Sequence, residues 1–285
     1  MKIEKFAVIG HPIGHTMSPF IHKRLFELSG YEPEYSVLDI EDVKNSESQL
    51  RELDGFNITI PHKRNIFAIL DETDEKADVF GSVNTVRNDG GTLKGFTTDG
   101  IGCLKALMNH GADFGGKILL LGNGGAARAI AFEAVLANPL ADITIVVREG
   151  SLPKGDELKS DLLKLAPEAR LSLKTYDEEE TSEEEYSLLI NTTSLGMYPK
   201  TGVSPVTEKV VSRCENIFDA VYNPMDTELM RIAEKLHKNL IPGMEMLVFQ
   251  AVAAHEHWYG AKFRQADILQ LCSDANKEME RIFRK

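Results

Sequence analysis

The chain has 285 residues and a formal charge of −12 at pH 7, from 32 Lys plus Arg against 44 Asp plus Glu. This balance argues against nucleic-acid or anionic-membrane binding as a whole-chain activity, because both need a basic face to replace counterions. Against a prior of about 150 residues per domain, the length predicts two domains or one large α/β unit; 42% hydrophobic and 27% charged residues are the proportions of a soluble globular protein.

No stretch approaches the roughly 20 apolar residues of a membrane span. Glu4 and Lys5 interrupt the apolar run a signal peptide would need. Cys103, Cys214 and Cys272 are far apart and without paired metal spacing, which predicts reduced, packed thiols in a cytoplasmic protein.

In chain order, KFAVIG predicts a first strand. A helix follows from SPFIHKRLFELSG, with Ser18 as N-cap, Pro19 at the first helical position and Gly30 as the stop. Strands at 34–39 and 56–60, with a helix through Leu53 between them, continue the alternation of a parallel α/β sheet. Two apolar-alternating runs around Asn88-Asp89-Gly90-Gly91 predict a hairpin beside that sheet. A helix near Asp99 leads to strands at 117–122, 143–147, 171–175, 187–191 and 217–221, a second α/β unit. The expected division is a first domain over 1–101, completed by C-terminal helices over 238–285, and a second domain over 102–237. Asp177 to Glu185 holds seven carboxylates in nine residues, which predicts a solvated loop. In the last helix Ile268, Leu269, Leu271, Met279, Ile282 and Phe283 fit intramolecular packing as readily as a dimer, so monomer and homodimer both stay open.

After KILLL comes Gly122-Asn123-Gly124-Gly125-Ala126-Ala127, a G-x-G-x-x-A pattern between a strand and a helix. Glycines there allow a tight turn and let backbone N–H groups approach a pyrophosphate at a helix N-terminus, where the dipole favours anions. The next strand ends in Arg148 and Glu149. An arginine there pairs with the 2′-phosphate of NADP, whereas an acidic residue binds the ribose hydroxyls of NAD. Arg148 favours NADP(H), and Glu149 leaves NAD(H) open.

Three polar clusters fall at predicted strand ends: His15, Thr16 and Ser18; Asn57, Thr59 and Lys63; and Asn84 with Thr85, followed by Thr98 and Asp99. Hydroxyls ahead of a helix suit a carboxylate ligand. Lys63 stands out because Asp99, at a helix start, is available to pair with it. His11, His15, His22 and His62 lack a nucleophile to activate and are expected to be structural or to support residues that touch the substrate. No His/Cys/Asp cluster has metal spacing, and no metal is expected.

The motifs GHPIGHTMSPFIH, FNITIPHK, GSVNTV, GFTTDG, GNGGAARAI, INTTSLGM, FDAVYNP with Thr227, and GMEMLVFQA run over nearly the whole chain. In this order they resemble the shikimate dehydrogenase family. The resemblance implies a two-domain α/β protein, with an N-terminal substrate-binding domain and a Rossmann domain separated by a cleft. It further implies reversible NADP-linked reduction of 3-dehydroshikimate to shikimate, in aromatic amino-acid biosynthesis. Lys63 and Asp99 become the catalytic pair. Thr16, Ser18, Thr59, Asn84, Tyr222 and Gln250 take the substrate positions, and Thr192 and Gly243 fall near the cofactor. Thr16 stands where serine is usual, Thr97 replaces the asparagine of GxNTDG, and Ser82 replaces an alanine. The usual NRT is Val147-Arg148-Glu149. These departures leave open an NAD-linked quinate/shikimate dehydrogenase. A catalytically inactive metabolite sensor is opposed by the presence of both Lys63 and Asp99.

Overall fold

The computed structural model describes residues 4–14 and 16–283. His15 and the side chain of Phe283 lie outside the described residues, so neither expectation placed on them is addressed. The chain divides into two compact units, Met1–Asp99 with Val248–Lys285, and Gly100–Leu247.

The first unit carries β1 (Lys5–Gly10), α1 (Ser18–Ser29), β2 (Glu34–Asp39), α2 (Glu47–Leu50), β3 (Gly55–Ile58), β4 (Glu72–Thr73), α3 (Glu75–Phe80), β5 (Thr85–Asp89) and β6 (Thr92–Phe96). Its sheet order is β2-β1-β3-β5-β6-β4. The sheet is mixed rather than parallel throughout. β1 pairs with β2 and β3 in parallel, but β5 runs antiparallel to both β3 and β6. The expected hairpin is therefore part of the sheet, and Gly90 and Gly91 take its turn at φ 64° and 107°, where glycine avoids the Cβ clash. Successive β1 residues face opposite sides: Ala7 and Ile9 join Phe56, Ile58 and Val86 in one apolar cluster, while Phe6 packs with Phe26, Ala254 and Trp258 in another.

Three local expectations need correction. Ser18 is the first helical residue of α1 rather than its N-cap; Met17 holds that position without a side-chain bond, and Thr16 Oγ1 accepts the Ser18 N–H at 3.1 Å. The helix expected through Leu53 is only α2; after Arg51 the backbone bonds tighten to three-residue steps, with Glu52 N–H to the Gln49 carbonyl and Leu53 N–H to the Leu50 carbonyl, both at 3.2 Å. The third strand stops at Ile58, and Thr59 to His62 form a turn closed by His62 N–H to the Thr59 carbonyl, 3.0 Å.

The second unit follows with α4 (Asp99–Asn109), β7 (Lys117–Leu121), α5 (Gly125–Ala137), β8 (Asp142–Val147), α6 (Leu152–Leu165), β9 (Arg170–Thr175), α7 (Tyr176–Thr181), β10 (Tyr186–Asn191), α8 (Glu208–Ser212), β11 (Cys214–Asp219), α9 (Glu228–Lys235) and β12 (Asn239–Pro242). Helices α10 (Gly243–Tyr259) and α11 (Gln265–Phe283) end the chain. All strand pairings in this sheet are parallel, in the order β12-β11-β10-β7-β8-β9. That is the doubly wound 3-2-1-4-5-6 order read from its other end, and its ligand crevice lies at the carboxyl ends where the winding reverses, between β7 and β10.

The boundary expected at 237/238 is displaced. Residues 239–242 form the sheet's edge strand, in register with β11, so the return to the first unit begins at Val248. In α11 Ile268, Leu271 and Met279 are buried, whereas Leu269 and Ile282 are exposed.

The acidic segment is a loop only over residues 182–185; its first half is helical. Thr175 and Glu178 form a capping box that starts α7. Glu179 is fully buried, accepting from Arg213 at 2.8 Å, Lys174 at 3.1 Å and the Tyr186 hydroxyl at 2.8 Å. All three cysteines are buried and none is in a disulfide, and burial pushes the Cys214 thiol up to about 12. Among the described residues no helix is long and apolar enough to cross a membrane, and no cluster of His, Cys, Asp or Glu could hold a metal ion.

Candidate active site

Lys63 leaves the turn after β3, and Asp99 opens α4. They meet at 2.5 Å from Lys63 Nζ to Asp99 Oδ2, with side chains 18% and 7% exposed. The other carboxylate oxygen accepts from Asn84 Nδ2 at 2.8 Å. Asn84 is itself held: its Oδ1 accepts the Thr98 backbone N–H at 2.8 Å, and its amide reaches Thr98 Oγ1 at 2.9 Å and Gln250 Oε1 at 3.3 Å. Both Asp99 oxygens therefore have fixed donors, and the lysine ammonium is aimed by a carboxylate that has little freedom to turn. An amine presented this way can, as its ammonium, donate a proton to an oxygen at its open side and, as the neutral amine so formed, take it back.

The hydroxyl pair is also formed. Thr16 Oγ1 donates to Ser18 Oγ at 3.0 Å just ahead of α1. From there a buried chain leads back to the ion pair. Ser18 bonds the Tyr35 hydroxyl, Tyr35 donates to Asn57 Oδ1 at 2.9 Å, Asn57 Nδ2 reaches Thr85 Oγ1 at 3.3 Å, and Thr85 reaches Asn84 Oδ1 at 3.4 Å. Thr59 starts the turn that carries Lys63 and is half-buried. Its methyl lies 2.6 Å from where a Cβ on Gly10 would stand, so the end of β1 admits only glycine.

Tyr35 is the residue sequence reasoning missed. Its ring stacks on His22 with centroids 4.6 Å apart. The His22 ring bonds His255 at 2.9 Å, and His255 bonds the Tyr259 hydroxyl. His22 thus supports Tyr35 from beneath, and His62 Nε2 meets the Ile40 carbonyl at 2.5 Å. His11 sits exposed against Asp39.

In the second unit Gly122 ends β7 at φ 104°, and a Cβ there would meet Thr192 Oγ1 at 2.8 Å and Thr193 Cγ2 at 3.3 Å. Thr192 and Gly122 are therefore packed face to face across the β7–β10 crevice. Gly124 precedes α5 with no side-chain cap and no acidic residue in the first turn, and nothing stands within 4 Å of its own Cβ position. Gly125, Ala126 and Ala127 begin the helix. Such a terminus presents backbone N–H groups and a favourable dipole to an anion. Asn123 ties this loop to the Ser151 carbonyl at 3.2 Å.

Arg148 and Glu149 follow β8 and line an open groove of about 500 Å³ with Leu152, Thr175, Tyr176, Asp177 and Glu178. The acidic segment thus supplies part of the groove wall. Tyr222, on the loop after β11, is half-buried, and burial pushes its phenol up. A Cβ on Gly243 would stand 2.5 Å from the Asp219 carbonyl oxygen, so no side chain fits there.

Comparison with known proteins agrees with this geometry. The family profile described as the shikimate dehydrogenase substrate binding domain matches residues 8–86. Shikimate dehydrogenase (NADP(+)) of Caldanaerobacter subterraneus subsp. tengcongensis is 37% identical over 273 residues, covering 92% of this chain and 95% of that protein. The chain belongs to the shikimate dehydrogenase family. Among solved structures, the Thermus thermophilus shikimate 5-dehydrogenase in complex with NADP(H) and shikimate superposes with a TM-score of 0.83 at 29% identity, covering 96% of this chain and 100% of that one. The Listeria monocytogenes shikimate 5-dehydrogenase in complex with shikimate and NAD gives 0.82 at 29% identity, covering 94% and 96%.

Membership makes one backbone prediction immediate. Gly122→Ala places a Cβ in left-handed space, at about 1–2 kcal/mol, and into Thr192 as well. Dinucleotide affinity, read by NADPH fluorescence titration, is expected to fall at least about tenfold, each tenfold being about 1.4 kcal/mol.

Proposed function

We propose that this chain catalyses the reversible reduction of 3-dehydroshikimate to shikimate with NADP(H), as a dissolved enzyme of aromatic amino-acid biosynthesis acting in the cytoplasm. The observation that carries the reading is the Lys63–Asp99 ion pair at 2.5 Å, braced by Asn84. The nicotinamide, when bound, supplies or accepts the hydride at C3. In the direction of reduction Lys63 donates a proton to the C3 oxygen as it gains charge, and in oxidation it takes that proton back. Asp99 keeps the ammonium in line, and Asn84 keeps Asp99 in place. Thr16 and Ser18 offer hydroxyls to the substrate carboxylate, so that the ring presents one face. Thr59 and Gln250 complete the polar surface of the first unit, and Tyr222 is assigned to the substrate by its place in FDAVYNP.

The residues present fit a dinucleotide. The Gly122–Ala127 turn and the uncapped start of α5 suit the pyrophosphate. Thr192 walls the crevice, Gly243 packs without a side chain directly on the Asp219–Ala220 backbone, and Arg148 faces the groove where a 2′-phosphate would lie.

A specific observation favours a second cofactor. Glu149, Asp177 and Glu178 line the same groove as Arg148, and carboxylates repel a 2′-phosphate while accepting from ribose hydroxyls. NAD(H) use alongside NADP(H) is therefore part of the proposal. Initial rates with shikimate and quinate, each with NADP and NAD, test it. Shikimate with NADP is expected to be fastest. Faster turnover of quinate with NAD would replace this reading by that of an NAD-linked quinate/shikimate dehydrogenase. Glu149→Thr should lower KM for NADP about fivefold, since removing a charge at a surface distance of about 4 Å is worth about 1 kcal/mol, and should leave KM for NAD unchanged or higher.

A further inference from the structure

Asp219 ends β11 and is 1% exposed. Its Oδ1 accepts from Asn191 Nδ2 at 2.8 Å and from the Val221 backbone N–H at 3.0 Å, and its Oδ2 accepts from Thr227 Oγ1 at 2.6 Å. Burial pushes its carboxyl up, and these three donors work against that rise. No cation shares the site among its described partners. A buried carboxylate without a cation is an expensive way to hold a turn, because desolvation of the charge is only partly offset by neutral donors. A neutral asparagine or serine would satisfy most of the same groups.

The partners show what the carboxylate connects. On one side Asn191 turns its Oδ1 to the Thr193 backbone N–H at 3.0 Å and the Thr193 hydroxyl at 2.7 Å, and Thr193 Oγ1 accepts the Leu195 N–H at 3.3 Å. This is the loop whose Thr192 packs on Gly122. On the other side Val221 precedes Tyr222, and Thr227 caps α9 through the Met230 N–H at 3.2 Å. The two loops are also joined by Tyr198 N–H to the Asn223 carbonyl at 2.9 Å. Gly243 packs on the Asp219 carbonyl from β12's end. One side chain therefore pins two loops at the carboxyl ends of β10 and β11, where a doubly wound sheet binds its ligand.

We propose that Asp219 is a positioning residue for the dinucleotide: it locks the Thr192 loop and the Tyr222 loop into one geometry, and dinucleotide affinity depends on that lock. The inference rests on the dehydrogenase reading above. The first variant is Asp219→Ala, with Asp219→Asn as rescue, because an asparagine can keep Oδ1 as acceptor and donate to Thr227 Oγ1. Should Asp219→Ala fail to fold, Thr227→Val removes the Oδ2 bond together with the Met230 cap of α9, leaving both Oδ1 bonds in place, and Thr227→Ser restores both lost bonds.

Two readouts are taken at a temperature where each variant is folded: NADPH affinity by fluorescence titration, and amide exchange in residues 192–198 and 220–227. Asp219→Ala or Thr227→Val is expected to weaken NADPH at least tenfold and to speed exchange in both loops together, while Asp219→Asn or Thr227→Ser returns both to within about threefold of wild type. Unchanged NADPH affinity in the disruptive variants, with only the melting temperature lowered, would overturn the proposal, as would faster exchange in one loop alone. Wild-type protein that binds no dinucleotide would overturn the dehydrogenase reading instead; the exchange measurement needs no ligand and still decides whether Asp219 couples the loops.

Discussion

Lys63→Ala is expected to lower kcat for shikimate oxidation by about 10²–10⁴-fold, the range that general acid–base help supplies, with NADP(H) affinity within twofold of wild type. The separation follows from placement. Lys63 belongs to the first unit, and the glycine turn, Thr192 and Arg148 belong to the second. Truncation at Ala removes the ammonium that gives a proton to the C3 oxygen as charge develops there, while Asp99 keeps its bond from Asn84 at 2.8 Å. The carboxylate therefore stays in place and cannot substitute, because it is an acceptor. Steady-state rates with both substrates varied, beside NADPH titration, check both halves. Activity above a tenth of wild type would remove Lys63 from the chemistry. Asp99→Asn makes the complementary case: the lysine remains but loses its charged partner, so kcat should fall while the lysine-free background is not reached.

What the sequence showed depended on how local each signal was. The strands of the second unit read directly, because KILLL and ITIVV are apolar but for Lys117 and Thr144 and are buried on both faces, as parallel strands between helices must be. β4 and β12 did not. One has two residues, and the other, Asn-Leu-Ile-Pro, is a half-exposed edge strand ending in proline. The direction of β5 was equally hidden, because antiparallel pairing with β3 is set by topology and leaves no mark in the strand's own residues. For α7 the mark was present: Thr175 and Glu178 stand three apart as a capping box, but seven carboxylates drew attention to solvent, and nothing local says that Glu179 will find Arg213.

The site divides in the same way. Lys63, Asp99, Thr16 and Ser18 stand in motifs and could be named. Tyr35 acts through His22 and Asn57, and Asp219 through Asn191 on the preceding strand as well as Thr227. No spacing rule reaches such contacts.

The buried histidines beneath Tyr35 predict a steep acid limit. His22 and His255 are both buried, bonded to each other at 2.9 Å, and no described carboxylate is bonded to either ring. Burial holds His22 down at about 3 and His255 well below the usual value, the second pressed further by its neighbour. In the unfolded chain both titrate near 6.5. Below that pH the unfolded state binds more protons than the folded one, so the stability from keeping the rings neutral is complete above about pH 6.5 and is lost as pH falls toward the folded values. Each ring's slope approaches about 1.4 kcal/mol per pH unit, so by pH 4.5 His22 alone, held at about 3, has removed roughly 3 kcal/mol, a large part of the stability of an ordinary domain, and His255 acts in the same direction. Asp219 acts with the opposite sign, since its raised carboxyl costs stability while ionised and protonation relieves that cost. Between pH 6 and 5 ordinary carboxylates remain largely ionised, and the histidine slope dominates. Denaturant melts across that range should show it in wild type. His22→Gln, which can keep a bond to His255 but does not titrate, should remove about half of it whatever its own stability, and an unchanged slope would show that the histidine pair does not set the acid limit.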